Sequence, residues 1–105
     1  MAKSYFVVRA EVPDAADRPR FDHWYATDHL PLAIKTFRAE RGWRCWSRTD
    51  PAVHYAFYEF VDVRDAQGLI GSETIKPVIT DFDRVWGTRV SRRRETLEIV
   101  QEMIP

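Results

Sequence analysis

Apolar and polar positions alternate along residues 3–12, with Phe6, Val8, Ala10 and Val12 on one side and Tyr5, Val7, Arg9 and Glu11 on the other. A period of two over that length predicts a first strand, which Pro13 and Asp14 end. The polar, proline-bearing run 13–20 reads as a loop. It leads to a helix that begins near Arg20, passes Pro31, Ile34 and Phe37, and ends at about Arg38 with Gly42 as its stop signal. Trp43, Cys45 and Ser47 then alternate with Arg44, Trp46 and Arg48 as a second strand, and Asp50 and Pro51 make a turn. Residues 54–61 form the strongest strand pattern: His54, Ala56, Tyr58 and Phe60 share one face, and Tyr55, Phe57, Glu59 and Val61 the other. Apolar groups on both faces require cover on both.

Asp62 or Asp65 caps a short helical turn through Leu69. Pro77 opens a second long helix, in which Val78, Ile79, Phe82, Val85 and Trp86 make an amphipathic face, and Gly87 closes it. Residues 88–100 supply a last strand, whose register the arginine triplet and the later aliphatics leave open. The order strand, helix, strand, strand, helix, strand predicts one α+β domain over residues 1–105. It is a ferredoxin-like βαββαβ fold, with an antiparallel sheet and both helices on one face. The uncovered sheet face still carries aromatics, so a like sheet from a second copy is its simplest partner.

The segment 21–32, FDHWYATDHLPL, concentrates the candidate chemistry. On a regular helix Asp22, Tyr25 and His29 fall on one stripe and Phe21, Trp24 and Asp28 on the next. Pro31 lacks an N–H and crowds the carbonyl four residues earlier. The helix therefore either bends there or restarts with Asp28 as N-cap and Pro31 in its first turn. A histidine on such a face is more often a hydrogen-bonded core residue than a catalyst, so the stripe alone defines a candidate only.

Composition narrows the partners. A 45% hydrophobic chain with four Trp, four Tyr and six Phe is globular, and zero formal net charge gives no whole-protein field for nucleic acid or membrane. Arg92, Arg93 and Arg94 face Glu95 and Glu98 in sequence, and Arg41-Gly42-Trp43 fails the RNA-binding signature because Arg44 replaces the small residue and the strand is the wrong one. No apolar run reaches the roughly 20 residues of a membrane span. The single Cys45 cannot make an internal disulfide, so a cytoplasmic protein is expected. His23 and His29 are six apart, out of line on a helix, and HxxxH, ExxH and CxxC patterns are absent, so no metal or other cofactor is expected.

Phe21, Trp24, Tyr25, His29, Leu30, Pro31 and Leu32, in a helix after one strand, resemble the EthD-like branch of the dimeric α+β barrel superfamily, where an aromatic, Trp-Tyr, then His-x-Pro-Leu recurs. The resemblance implies a homodimer whose sheets face each other as a barrel, with a small apolar pocket in each subunit. It also implies His29 as the pocket imidazole, with Trp24 and Tyr25 as wall or helper. Relatives include cofactor-free monooxygenases, isomerases, cyclases and proteins without known activity, so the fold does not fix the chemistry.

Two functions follow as expectations. The first is an enzyme acting on an apolar or aromatic carbonyl compound by proton transfer through His29, a group whose ordinary pKa lies near neutrality, giving isomerisation, cyclisation, dehydration or cofactor-free oxygenation. In it Tyr25 polarises the carbonyl and Asp28 or Asp22 orients the ring, while Phe21, Trp24, His54, Tyr58 and Trp86 bind substrate. The alternative is a non-catalytic dimer that holds a hydrophobic metabolite.

Overall fold

The computed structural model describes residues 3–105. Strand β1 (Ser4–Glu11) leads through a 3-10 turn at Ala15–Asp17 into helix α1 (Arg18–Trp24). The turn is capped by Asp14, whose carboxylate accepts from the Ala16 N–H at 3.0 Å, so the helix starts two residues earlier than its sequence indicates. A wide turn at Tyr25–His29 continues into α2 (Leu30–Phe37). Then follow β2 (Arg41–Trp46), β3 (Val53–Phe60), the short α3 (Val63–Gln67), α4 (Lys76–Trp86) and β4 (Ser91–Glu98).

The four strands are antiparallel in the order β2-β3-β1-β4, the ferredoxin-like topology the element order requires. Register fixes the faces. Ser4, Phe6, Val8 and Ala10 of β1 lie beside His54, Ala56, Tyr58 and Phe60 of β3 on the helix side, while Val7 pairs with Phe57 and Phe57 with Trp43 on the other. The core fills the space between sheet and helices, where Phe6, Ala10, Phe21, Tyr25, Tyr58 and Phe82 are at most 1% exposed. β4 pairs only with β1, opposite which it sets Arg92 beside Ala10 and Arg94 beside Val8, and so points two arginines to the helix side.

Two local readings are corrected. Gly42 does not stop the helix; Arg38 does, in the left-handed region at φ 58°, its N–H returning to the Ile34 and Lys35 carbonyls. Gly42 lies in β2, where a Cβ would sit 3.0 Å from Ile34 Cδ1 and 3.2 Å from the Phe57 carbonyl oxygen, so it is a close contact between α2 and the sheet that a side chain would enter only by pushing Ile34 aside. Asp28 does not cap a new helix. Helical dihedrals run unbroken from Trp24 to Leu30, and the Leu30 N–H reaches the Tyr25 carbonyl five residues back. The chain thus absorbs Pro31 by widening one turn instead of breaking.

Candidate active site

That widened turn sets the site. The extra residue per turn brings Phe21, Trp24, Tyr25 and His29 to the interior together and leaves Ala26, Thr27 and Asp28 exposed. Asp28 therefore stands on the solvent side and does not orient His29. The carboxylate that does so comes from α4: Asp81 Oδ2 lies 2.8 Å from His29 Nδ1, and Asp81 Oδ1 accepts from Arg84 at 2.8 Å. With Nδ1–H donating to Asp81, Nε2 carries the lone pair. Among the described residues Nε2 has no hydrogen bond. Nor is it among the sealed, unpartnered nitrogens of the described residues, which are Trp24 Nε1, His54 Nδ1 and Trp86 Nε1.

Burial pushes the His29 pKa below its ordinary value, against the upward pull of Asp81, so the ring is neutral near pH 7. Burial alone pushes the Asp81 carboxyl up, but the hydrogen bonds from His29 and Arg84 hold it below the usual carboxylate range. The Trp24 indole stacks on the imidazole with centroids 4.5 Å apart and planes at 24°, fixing the ring from one side.

His29 lines a hollow between sheet and helices, walled by Val8, Phe37, Val78, Ile79 and Phe82, with Tyr25 and Tyr58 beside them and Arg92 and Arg94 on the β4 side. Its free space is about 20 Å³, room for about one water. The Tyr25 and Tyr58 hydroxyls are 3.1 Å apart and fully buried. Burial pushes Tyr25 up to about 12 and Tyr58 well above the ordinary phenol value, so both stay protonated. One hydroxyl donates to the other, which leaves one O–H for a ligand oxygen.

The remaining candidates do not line this hollow. Phe21, Trp24 and Trp86 form an aromatic layer behind it, with Phe21 packed 5.4 Å from Trp86 and 5.1 Å from His54. His54 belongs to a second cluster: Arg44 donates to its Nε2 at 3.3 Å and to Asp22 at 3.1 Å, and Trp46 Nε1 donates to Asp22 at 2.8 Å. Asp22 thus serves Trp46 and Arg44 and not His29. Burial and the Arg44 charge push His54 down to about 3, so it is a neutral core imidazole. Cys45 is exposed on the opposite sheet face. Among the described residues no three His, Cys, Asp or Glu side chains converge as metal ligands, and no helix is long and apolar enough to cross a membrane. Asp81 and Arg94 escape sequence reasoning, since one meets His29 across 52 residues and the other sits in a triplet that Glu95 and Glu98 oppose in sequence.

No known family profile matches the chain, and no curated protein matches it in sequence. Solved structures do match it in fold. An EthD family protein from Bacillus halodurans is similar over 98% of this chain and 100% of its own, at 16% identity and a TM-score of 0.61. SnoaB, a cofactor-independent oxygenase from Streptomyces nogalater, is similar over 100% and 99%, at 15% identity and a TM-score of 0.63. A dimeric ferredoxin-like protein from an uncultured marine organism covers 98% and 100%, at 13% identity and a TM-score of 0.59. These likenesses define the class of the chain as a ferredoxin-like α+β protein of the architecture found in EthD-type proteins.

Proposed function

We propose that this protein is a small-molecule enzyme that moves a proton on an apolar or aromatic carbonyl compound, with His29 as general base. The observation that carries the reading is a neutral imidazole held by Asp81 at 2.8 Å through Nδ1, its Nε2 without a hydrogen bond among the described residues and its ring lining a largely apolar hollow. His29 Nε2 takes a proton from the carbon beside the carbonyl, and the electron pair moves onto the carbonyl oxygen. A hydroxyl of the Tyr25–Tyr58 pair donates to that oxyanion, and Asp81 stabilises the imidazolium. Return of the proton to another carbon is isomerisation, attack of the enolate on a second carbonyl is cyclisation, and expulsion of a β-hydroxyl is dehydration. Reaction of the same carbanion with dioxygen is cofactor-free oxygenation, the activity named for SnoaB. Because the free space is so small, a substrate binds only when side chains that line the hollow move aside.

The test follows solvent deuterium entering the α-carbon of aryl ketones and aryl β-diketones by NMR. Wild type is expected to accelerate exchange over buffer for at least one compound, and His29→Gln to lose roughly 100-fold or more of that rate. Unchanged exchange in His29→Gln removes His29 from the chemistry, whereas tight binding without exchange in wild type supports the metabolite-binding reading instead. The same proposal includes a homodimer through the outer sheet face, supported by the dimeric ferredoxin-like neighbour.

A further inference from the structure

β4 turns two arginines toward the helix side of the sheet, where the neighbouring strands present Phe6, Val8, Ala10, Ala56 and Tyr58. A half-buried guanidinium there loses part of its hydration, which an acidic partner offsets best. Arg92 has its partners: it donates to Asp83 Oδ1 at 2.9 Å, and its Cζ lies 4.0 Å over the Phe82 ring. Arg94 has none. Among the described residues no carboxylate lies within ion-pair distance of it and no side-chain hydrogen bond reaches it, yet it is half-buried and lines the hollow with His29, Tyr25 and Tyr58. Arg92 and Arg94 are the arginines that line the hollow, and the carboxylate at their side, Asp83, is hydrogen-bonded to Arg92.

We infer that Arg94 is an anion-recognition residue, and that the ligand of this hollow carries a carboxylate that Arg94 receives while its apolar body lies against Val8, Phe37 and Val78. The inference rests on the hollow being the substrate site and deepens that reading by naming the substrate class as aromatic or apolar carboxylates bearing a carbonyl. A permanent charge fits better than an enolate formed only during turnover, because the cation stands unpaired in the resting protein and pays its desolvation there. Guanidinium and carboxylate match as a two-pronged, charge-assisted pair, for which lysine is a poorer substitute.

The experiment compares pairs of equal shape: benzoate with benzamide, and naphthoate with naphthamide, titrated into the full chain by ligand-observed NMR. Wild type is expected to bind each carboxylate about tenfold or more tightly than its amide, equivalent to about 1.4 kcal/mol. Arg94→Gln is expected to abolish that ratio while leaving amide affinity within about twofold, and Arg94→Lys to restore part of it. Unfolding curves confirm that the variants fold, and Arg93→Gln, on the outer face, gives the control for general loss of charge. Equal affinity for acid and amide in wild type overturns the inference, as does a carboxylate preference that survives Arg94→Gln. Binding of neither class at millimolar concentration overturns it together with the pocket reading. A carboxylate preference that depends on Arg94 but persists in a His29→Gln protein without exchange activity separates the two, since it upholds the anion site whatever the chemistry of the imidazole.

Discussion

At the scale of single residues, two histidines share burial and differ in their partners. His29 is held by a carboxylate that pulls its pKa up against burial, whereas His54 faces a guanidinium that adds to the effect of burial. An NMR titration of the ring C–H signals should therefore find both below the ordinary 6.5, with His54 neutral until about pH 3. Asp81→Asn should push His29 lower still, because it removes the only group raising it. The linkage has a definite sign. A depressed imidazole pKa means that the unfolded chain takes up protons first, so stability is full above pH 6.5 and falls as pH drops through the window down to about 3. Within that window His54 alone contributes a slope of about 1.4 kcal/mol per pH unit. Urea unfolding of His54→Phe between pH 6.5 and 4.5, above the range where paired carboxylates titrate, should show a flatter acid limb than wild type. An unchanged slope would mean that His54 is not buried as a neutral ring.

At the scale of elements, the strands and the long helices were legible because each follows its own period. β3 reads off Ala56, Tyr58 and Phe60 against Phe57 and Glu59, and α4 off Val78, Phe82 and Trp86 behind Pro77. The candidate site was legible in half. Tyr25 and His29 are marked by the crowding of segment 21–32, but which acid meets the imidazole depends on one extra residue in a single turn, and no hydropathy pattern records that. Regular helix geometry placed Asp28 near the interior; the wide turn at Tyr25–His29 places it in solvent and leaves the position to Asp81 from a distant helix. Gly42 misled for a related reason, since a glycine shortly after a helix has the signature of a stop, and only the packing of Ile34 over β2 shows what it avoids. Gly42→Ala tests that account. The new methyl must displace the Ile34 side chain and press on the Phe57 carbonyl, for a loss of about 1–3 kcal/mol in chemical denaturation. A helix-stop glycine would lose a similar amount through left-handed backbone strain, but Gly42 has no positive φ, so a loss here reports the contact with Ile34 and Phe57.

For the whole molecule, the sheet has two faces and one layer of helices. The outer face carries Tyr5, Val7, Trp43, Tyr55 and Phe57, with Trp43 and Phe57 stacked at 5.5 Å and 8° and Tyr5 edge-on to Trp43 at 5.6 Å. Leu97 on the same face is 40% exposed, and beyond β4 Val100, Met103 and Ile104 are 79–93% exposed. Four strands spaced about 4.8 Å apart and up to eight residues long, at about 3.4 Å each, offer a projected face on the order of 500 Å². Side-chain relief and the apolar tail bring its accessible area toward the roughly 800 Å² per partner of a standard interface. Arg9 pairs across β1 and β4 with Arg93, and like charges directly opposite each other weaken a sheet unless acids approach. Glu11 already lies 4.0 Å from Arg9 within the chain, and Glu95 on the same face, carried over to a twofold-related copy, supplies a further acid for that rim. We therefore propose that two copies meet sheet to sheet. Sedimentation velocity at about 10 µM should find a dimer whose thermal midpoint rises with protein concentration, because association stabilises the folded state by mass action. Phe57→Glu, which sets a charge at the centre of that face without touching the helix side, should give a monomer with an unaltered strand signature in circular dichroism. A wild-type monomer at that concentration, or a Phe57→Glu dimer, would overturn the sheet-to-sheet pairing.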